Sequence, residues 1–279
     1  MYGCIHVLEG SSLIPPFSLS RPSSLAAALD LVTAGGVPLV GGTELVAAMN
    51  IGLLSPEHLV DLKRITELSG IESVGNELIV GATTRHAQVA ASGDVRHGAP
   101  ILAQACDQLG NQRVRSTGSI GGNLCFADHR SDVATVLVAL QAEAELITLG
   151  GARTVRVEDF LFGSMDTDLR DGELMTRLRV PARGAGQVYL RHQPSEYPTV
   201  CVAVVWDPAG PHFLRIVIGA VADRPHVLEA ADPDRIDLAA ALEEMDIVED
   251  LNGSVPYKQH LVEVFVARAL DLARNEQSR

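Results

Sequence analysis

A chain of 279 residues with 22 Lys and Arg against 35 Asp and Glu carries a formal charge of −13. That balance excludes a protein that grips nucleic acid or an anionic membrane through bulk charge. The 47% hydrophobic content suffices for a sizeable core and excludes wholesale disorder, and the length suits two domains of ordinary size.

No apolar run approaches the ~20 residues of a bilayer span. The opening MYGCIHVLEGSSLIPPF lacks the basic start and continuous apolar segment of a secretory signal, so a soluble cytoplasmic chain is expected. Cys4, Cys106, Cys125 and Cys201 are too scattered for a disulfide framework, an iron–sulfur cluster or a structural zinc site. No metal site is expected, and any redox chemistry in the chain calls for an organic cofactor.

Helical and strand patterns alternate at short spacing. The run LAAALDLVTAG after Ser23 and Ser24 predicts a capped helix that stops at Gly35-Gly36. Val37 to Val40 reads as a short strand entering Gly41-Gly42, and Thr43 to Asn50 as helix. Strands are expected over His58 to Leu62 and Glu77 to Val80, and a helix over Ala99 to Leu109. Three glycines in Ser116 to Asn123 interrupt regular structure there. A helix over Asp132 to Gln141 and a strand over Ala144 to Leu149 follow, then the turn at Gly150-Gly151. A strand over Met175 to Val180 ends at Pro181, and the PARGAG stretch reads as an interdomain connection. Beyond Gln187, VYLRHQ, PTVCVAVVWD and FLRIVIGAVA predict strands, with a turn at Asp207-Pro208-Ala209-Gly210. Helices close the chain over Leu238 to Met245 and Tyr257 to Ala273.

Two glycine turns carry the functional signal. In PLVGGTELVAAM (38–49) a strand runs into two glycines and then a helix, where free N–H groups face outward and glycine allows close backbone approach. That suits a phosphate or pyrophosphate. It is neither a P-loop nor G-x-G-x-x-G, and alone it equally describes a strand–turn–helix capped by Thr43. In GSIGGN (118–123) glycines and small hydroxyls surround one isoleucine, a backbone rich in N–H groups that can form an anion nest. Asp132 then opens a helix, where a carboxylate can cap it or accept bonds from sugar hydroxyls. No nucleophile–base–acid set and no metal-ligand spacing occurs among the nine histidines, and catalytic residues are not assignable.

The order VGGTEL (40–45), IVGATT (79–84), RSTGSIGGN (115–123), Asp132, ARTVRVEDFLFG (152–163) and GELMTRLRVP (172–181) resembles the FAD-binding medium subunit of molybdenum hydroxylases, the carbon-monoxide-dehydrogenase and xanthine-dehydrogenase type. The likeness extends over nearly the whole chain. It implies an α+β fold: a two-subdomain FAD-binding part of PCMH type over residues 1–181, then a C-terminal domain of antiparallel sheet plus helices over 187–279 that covers the flavin. It places non-covalent FAD on Val40, Gly41, Gly42, Thr43 and Glu44, and on Thr117, Ser119, Ile120, Gly121, Gly122, Asn123 and Asp132. Leu174 and Arg191 complete the implied set, with Tyr189 and Tyr197 near the ring.

The chain departs from the family in two places. Asp128-His129 stands where a small pair such as Ser-Pro is usual, and HQPSEYPTV (192–200) lacks the customary Arg and Asp. Phe126 is expected in the core and His129 in a solvated loop. The resemblance implies an electron-transfer subunit that passes electrons from [2Fe–2S] clusters through FAD to an external acceptor. Its partners would be an iron–sulfur small subunit and a molybdopterin large subunit. The alternative is a stand-alone FAD-dependent oxidoreductase acting directly on a small organic substrate.

Overall fold

In the computed structural model, residues 14–182, 186–207, 213–231 and 233–277 are described. Cys4, the middle of the PARGAG connection and most of the turn after Asp207 lie outside these residues. The first layer is a parallel three-stranded sheet. Its elements are β1 (Ser18–Ser20), α1 (Leu25–Thr33), β2 (Val37–Leu39), α2 (Leu45–Asn50) and β3 (His58–Asp61), with strand order β1-β3-β2. Ser24 caps α1 as expected, its Oγ accepting from the Ala27 N–H. The helix turns Ala28, Leu29 and Val32 onto Val60, Leu62, Ile65, Leu68 and Leu174, a small separate core.

The second layer opens with the hairpin β4 (Ile71–Val74) and β5 (Glu77–Gly81). Helices α3 (His86–Ala91), α4 (Gly93–Gly98), α5 (Pro100–Gln108), α6 (Gln112–Thr117), α7 (Ile120–Phe126) and α8 (Asp132–Ala139) follow. Then come β6 (Glu143–Thr148), β7 (Gly151–Arg156), the single turn α9 (Val157–Phe160), the small hairpin β8 (Leu161–Gly163) and β9 (Asp166–Thr167), and β10 (Leu174–Pro181). The sheet is antiparallel, in the order β4-β5-β10-β6-β7, so the last strand in sequence occupies its centre. The GELMTRLRVP segment is therefore apolar on its buried positions: Leu178 lies opposite both Val80 and Ala144.

Strands β11 (Gln187–His192), β12 (Val200–Asp207), β13 (Phe213–Gly219) and β14 (His226–Ala230) form an antiparallel meander, followed by α10 (Leu238–Glu244) and α11 (Val255–Gln277). Alternation along β12 explains how this sheet is held. Val200, Val202 and Val204 join a core with α10 and α11, while Cys201, Ala203 and Val205 join the main core with α8. A strand buried on both faces reads as a continuous apolar run, as VCVAVV does. All eight residues of α8 are buried for the same reason.

Some elements differ from the sequence expectation. β1, β4, β7 and β14 are short or polar-faced strands that carry no clear alternation, and α3, α4 and α6 are one or two turns long. The SIGGN segment is the largest difference: Gly121 and Gly122 lie inside α7. Packing overrides the breaker signal there. A Cβ on Gly121 would stand 2.6 Å from the Ala82 Cβ and 2.8 Å from the Ala82 carbonyl oxygen. Glycine serves close helix-to-strand contact rather than a loop.

Candidate functional site

The two glycine motifs meet. A Cβ on Gly41 would overlap the Thr117 carbonyl oxygen and stand 2.8 Å from the Gly118 Cα, so the turn after β2 lies directly against the junction of α6 and α7. Gly42, with φ +68°, turns the chain into α2 in a conformation that disfavours any residue bearing a Cβ. Between the parallel sheet and the helical layer this leaves a cleft with about 1170 Å³ of unfilled space, counted out to its solvent mouth. Val40, Gly41, Gly42, Thr43, Glu44, Ser119, Gly121, Gly122, Asn123 and Leu174 all line it.

The backbone divides the labour between the motifs. The amides of Gly41, Gly42, Thr43 and Glu44 find no acceptor among the described residues. Four unpartnered N–H groups in sequence, ending at the start of α2, form an anion cradle. The second motif differs from the expected open nest, because all its amides but that of Ser119 are bonded within the chain. Ile120 donates to the Thr84 carbonyl, Gly121 to Ala82 and Asn123 to Ser119, while Gly122 donates to the Ser119 Oγ, which caps α7. The second motif is thus the ordered wall of the cleft. Ile120 is fully buried in the core and does not border the cleft. Thr117 does not border it either; its carbonyl accepts from the Arg85 Nη1 and abuts Gly41.

A second cleft continues from the first, sharing Thr43, Glu44, Leu109, Val114 and Asn123. The C-terminal part closes it with Gln193, Glu196, Tyr197 and Pro198. Arg130 lies over the Tyr197 ring, 3.7 Å from its centroid, and holds Asp128 bidentately through Nε to Oδ1 (3.0 Å) and Nη2 to Oδ2 (2.7 Å). That pairing keeps the Asp128 carboxyl below its ordinary value even against burial. Asp132 borders this cleft, and each of its oxygens accepts one bond from the C-terminal part: Oδ1 from the Tyr189 hydroxyl and Oδ2 from the Arg191 Nη1 at 2.9 Å. Arg191 itself borders neither cleft. Ser131 caps α8 and donates to the Asn123 Oδ1 at 2.6 Å, tying the start of α8 to the middle of α7.

Several residues at the site carried no distinct sequence signal. Phe126 lines the first cleft rather than filling the core. His86, one of nine dispersed histidines, also borders it, and burial pulls its imidazole down to about 4, so the ring is neutral. His129, expected in solvent, is half-buried, with Nδ1 3.2 Å from the Ser164 Oγ. Glu44 stands where the two clefts join. Burial, then the neighbouring Asp128, push its carboxyl up to about 7, against the opposing pull of Arg130 and a bond with Asn123.

No Lys or Arg lines the first cleft. Backbone amides therefore take the place of cationic side chains, and the cradle, the glycine contact no Cβ would permit and the long apolar walls fit a dinucleotide's diphosphate with flat groups to either side. Such a fold and site define a nucleotide-binding flavoprotein. The model of the FAD-binding domain in molybdopterin dehydrogenase matches residues 15–183, and the chain belongs to that family.

The chain is 33% identical to the carbon monoxide dehydrogenase medium chain of Afipia carboxidovorans, over 92% of this chain and 96% of the other. It is 29% identical to the glyceraldehyde dehydrogenase medium chain of Sulfolobus acidocaldarius, over 91% and 97%. Among solved structures, carbon monoxide dehydrogenase from Hydrogenophaga pseudoflava superposes with a TM-score of 0.87 at 29% identity, covering 94% of this chain and 99% of that one. The cofactor is FAD, and the chain is an FAD-dependent oxidoreductase subunit. Among the described residues no helix is long and apolar enough to cross a membrane.

Proposed function

We propose that this chain is the electron-transfer subunit of a molybdenum hydroxylase complex. In this reading it receives electrons from [2Fe–2S] clusters on a small subunit and delivers them to an external acceptor, while a large molybdopterin subunit oxidises the substrate. The observation that carries the reading is the row of four unpartnered amides from Gly41 to Glu44, set in a cleft that continues under Tyr197. Relatives named as medium chains along nearly their whole length support it.

Residues 1–181 would bind FAD and 187–279 would cover the flavin. Gly41, Gly42, Thr43 and Glu44 would hold the diphosphate through the backbone, with Val40, Leu174, Ser119, Gly121, Gly122 and Asn123 as walls. Thr117 and Ile120 would support that wall from behind. Asp132 and Arg191 would fix the C-terminal sheet over the second cleft, where the ring would lie. FAD supplies the ability to take and give electrons singly or in pairs, which suits a link between a one-electron cluster and a two-electron acceptor. The chain's own task is to bind, orient and shield the cofactor without a covalent bond. The free thiols of Cys106, Cys125 and Cys201 suit a reducing compartment such as the cytoplasm.

The test is direct. The purified chain should be yellow or take up FAD on titration, and affinity capture from the native host should bring iron–sulfur and molybdopterin subunits with it. A chain with neither flavin nor FAD affinity would overturn the reading. A lone flavoprotein that oxidises an organic compound would favour the stand-alone enzyme instead.

A further inference from the structure

We propose that Glu44 makes FAD binding depend on pH, the site accepting the cofactor with Glu44 protonated and rejecting it when Glu44 is ionised. The inference rests on the FAD site proposed above and deepens it. Glu44 contributes the last amide of the anion cradle, and its side chain borders both clefts. An anion bound there is neutralised by backbone N–H groups alone, because no Lys or Arg lines the first cleft. An ionised carboxylate at the rim therefore faces the diphosphate with no cation in the first cleft to offset it, Arg130 lying in the second and paired with Asp128, whereas a protonated one adds no charge and can donate a hydrogen bond.

The surroundings keep Glu44 sensitive in the useful range. From the turn between α7 and α8, Asp128 repels its charge more strongly than Arg130, which is held by Asp128 and stacked on Tyr197, attracts it. From α7, Asn123 is an uncharged partner. Glu196 and Asp132 border the same cleft, Asp132 being tied to Arg191. Glu173 borders the first cleft but is paired with Arg153 and stays ionised. Burial pulls His86 down to about 4, so that ring is neutral, and burial lowers His129 below its ordinary value against the pull of Asp128. Glu44, pushed up to about 7, is thus the group facing the cradle that changes charge near physiological pH.

The experiment is a fluorescence titration of the apo full-length chain with FAD between about pH 6 and about 9, a range in which free FAD changes no charge. For the native chain, Kd should be constant below about pH 7 and rise up to about tenfold per pH unit above it, until the affinity of the ionised form is reached. The E44Q chain should bind with a flat profile. As a second variant, D128N removes a like charge and frees Arg130, so the midpoint of the native-type fall should move to lower pH. A flat profile for the native chain, or an equal fall in E44Q, overturns the inference and leaves the FAD site standing. Absence of FAD binding at every pH overturns the proposed site itself, and the inference with it.

Discussion

Arg191 on β11 donates from Nη1 to the Oδ2 of Asp132 at the first turn of α8, 2.9 Å away, across the seam between the C-terminal sheet and the FAD-binding part. Its Nη2 donates to the Gln108 carbonyl at 2.7 Å. Tyr189, two residues earlier and on the same face of the strand, donates to the other oxygen of Asp132. The acid that the resemblance reads as a sugar ligand thus also ties β11 of the C-terminal sheet to the start of α8 beside the second cleft.

Replacing Arg191 by Met should leave a buried carboxylate short of its cation and cost about 3 kcal/mol at neutral pH. The sign with pH follows from the burial that already lifts Asp132 above its ordinary value. A carboxyl raised in the folded state contributes full stability below its unfolded value and loses it as pH rises through the folded one. Without Arg191 that value climbs further, so the R191M deficit should be largest at neutral pH and shrink toward about pH 4. Urea denaturation of both chains across this range measures it; a deficit independent of pH would show that the ion pair is not what was lost.

The glycines of α7 separate a folding role from a binding role. Gly121→Ala drives a Cβ into Ala82, whose backbone has nowhere to go, and should cost about 1–3 kcal/mol. Gly122 is exposed, and a Cβ there meets only the Ser119 Oγ at 2.9 Å. Gly122→Val should therefore leave stability within about 1 kcal/mol while weakening FAD binding about tenfold or more. Paired melting and FAD titration would refute this assignment if Gly122→Val unfolded the chain or bound FAD normally.

Local punctuation made part of this site readable. A strand, two glycines and a helix start announce the 41–44 cradle within ten residues of chain. Asp132 was visible as a helix-start acid, but its partners Tyr189 and Arg191 lie 57 and 59 residues further on, and no local pattern reports such a distance. The helical state of Gly121 and Gly122 was hidden because intrinsic propensity points the other way and tertiary packing on Ala82 decides. The segment 193–198 has no periodicity at all, so its place on the second cleft follows only from the strands that carry it. Most of the α+β layering was legible, since apolar runs such as VCVAVV and capped helices such as α1 state their burial directly.

Cys106 and Cys201 should behave as core residues, whereas Cys125 is half-buried on the wall of the first cleft. Burial pushes Cys125 and Cys201 up to about 12 and Cys106 beyond the ordinary thiol range. A thiolate-selective disulfide reagent at pH 8 should therefore leave Cys106 and Cys201 unmodified in the folded chain and reach them only after unfolding. Mass spectrometry of labelled peptides before and after denaturation checks each site; rapid native labelling of Cys201 would contradict the packing of α8 against β12, and that of Cys106 the burial of α5.

Tyr197 offers the most specific probe of where the flavin ring lies. Its ring stands under Arg130 at the wall of the second cleft and is 42% exposed, so removing it loses an exposed cation–π contact of about 0.5–1 kcal/mol. Tyr197→Ala should then barely alter the melting temperature. If the ring occupies the cleft beside it, the same change alters the polarity and stacking around the bound flavin. The visible absorption bands of bound FAD should shift in Y197A and stay in place in Y197F, which keeps the aromatic face. Identical spectra for Y197A and the native chain, with FAD still bound, would place the flavin ring away from the second cleft.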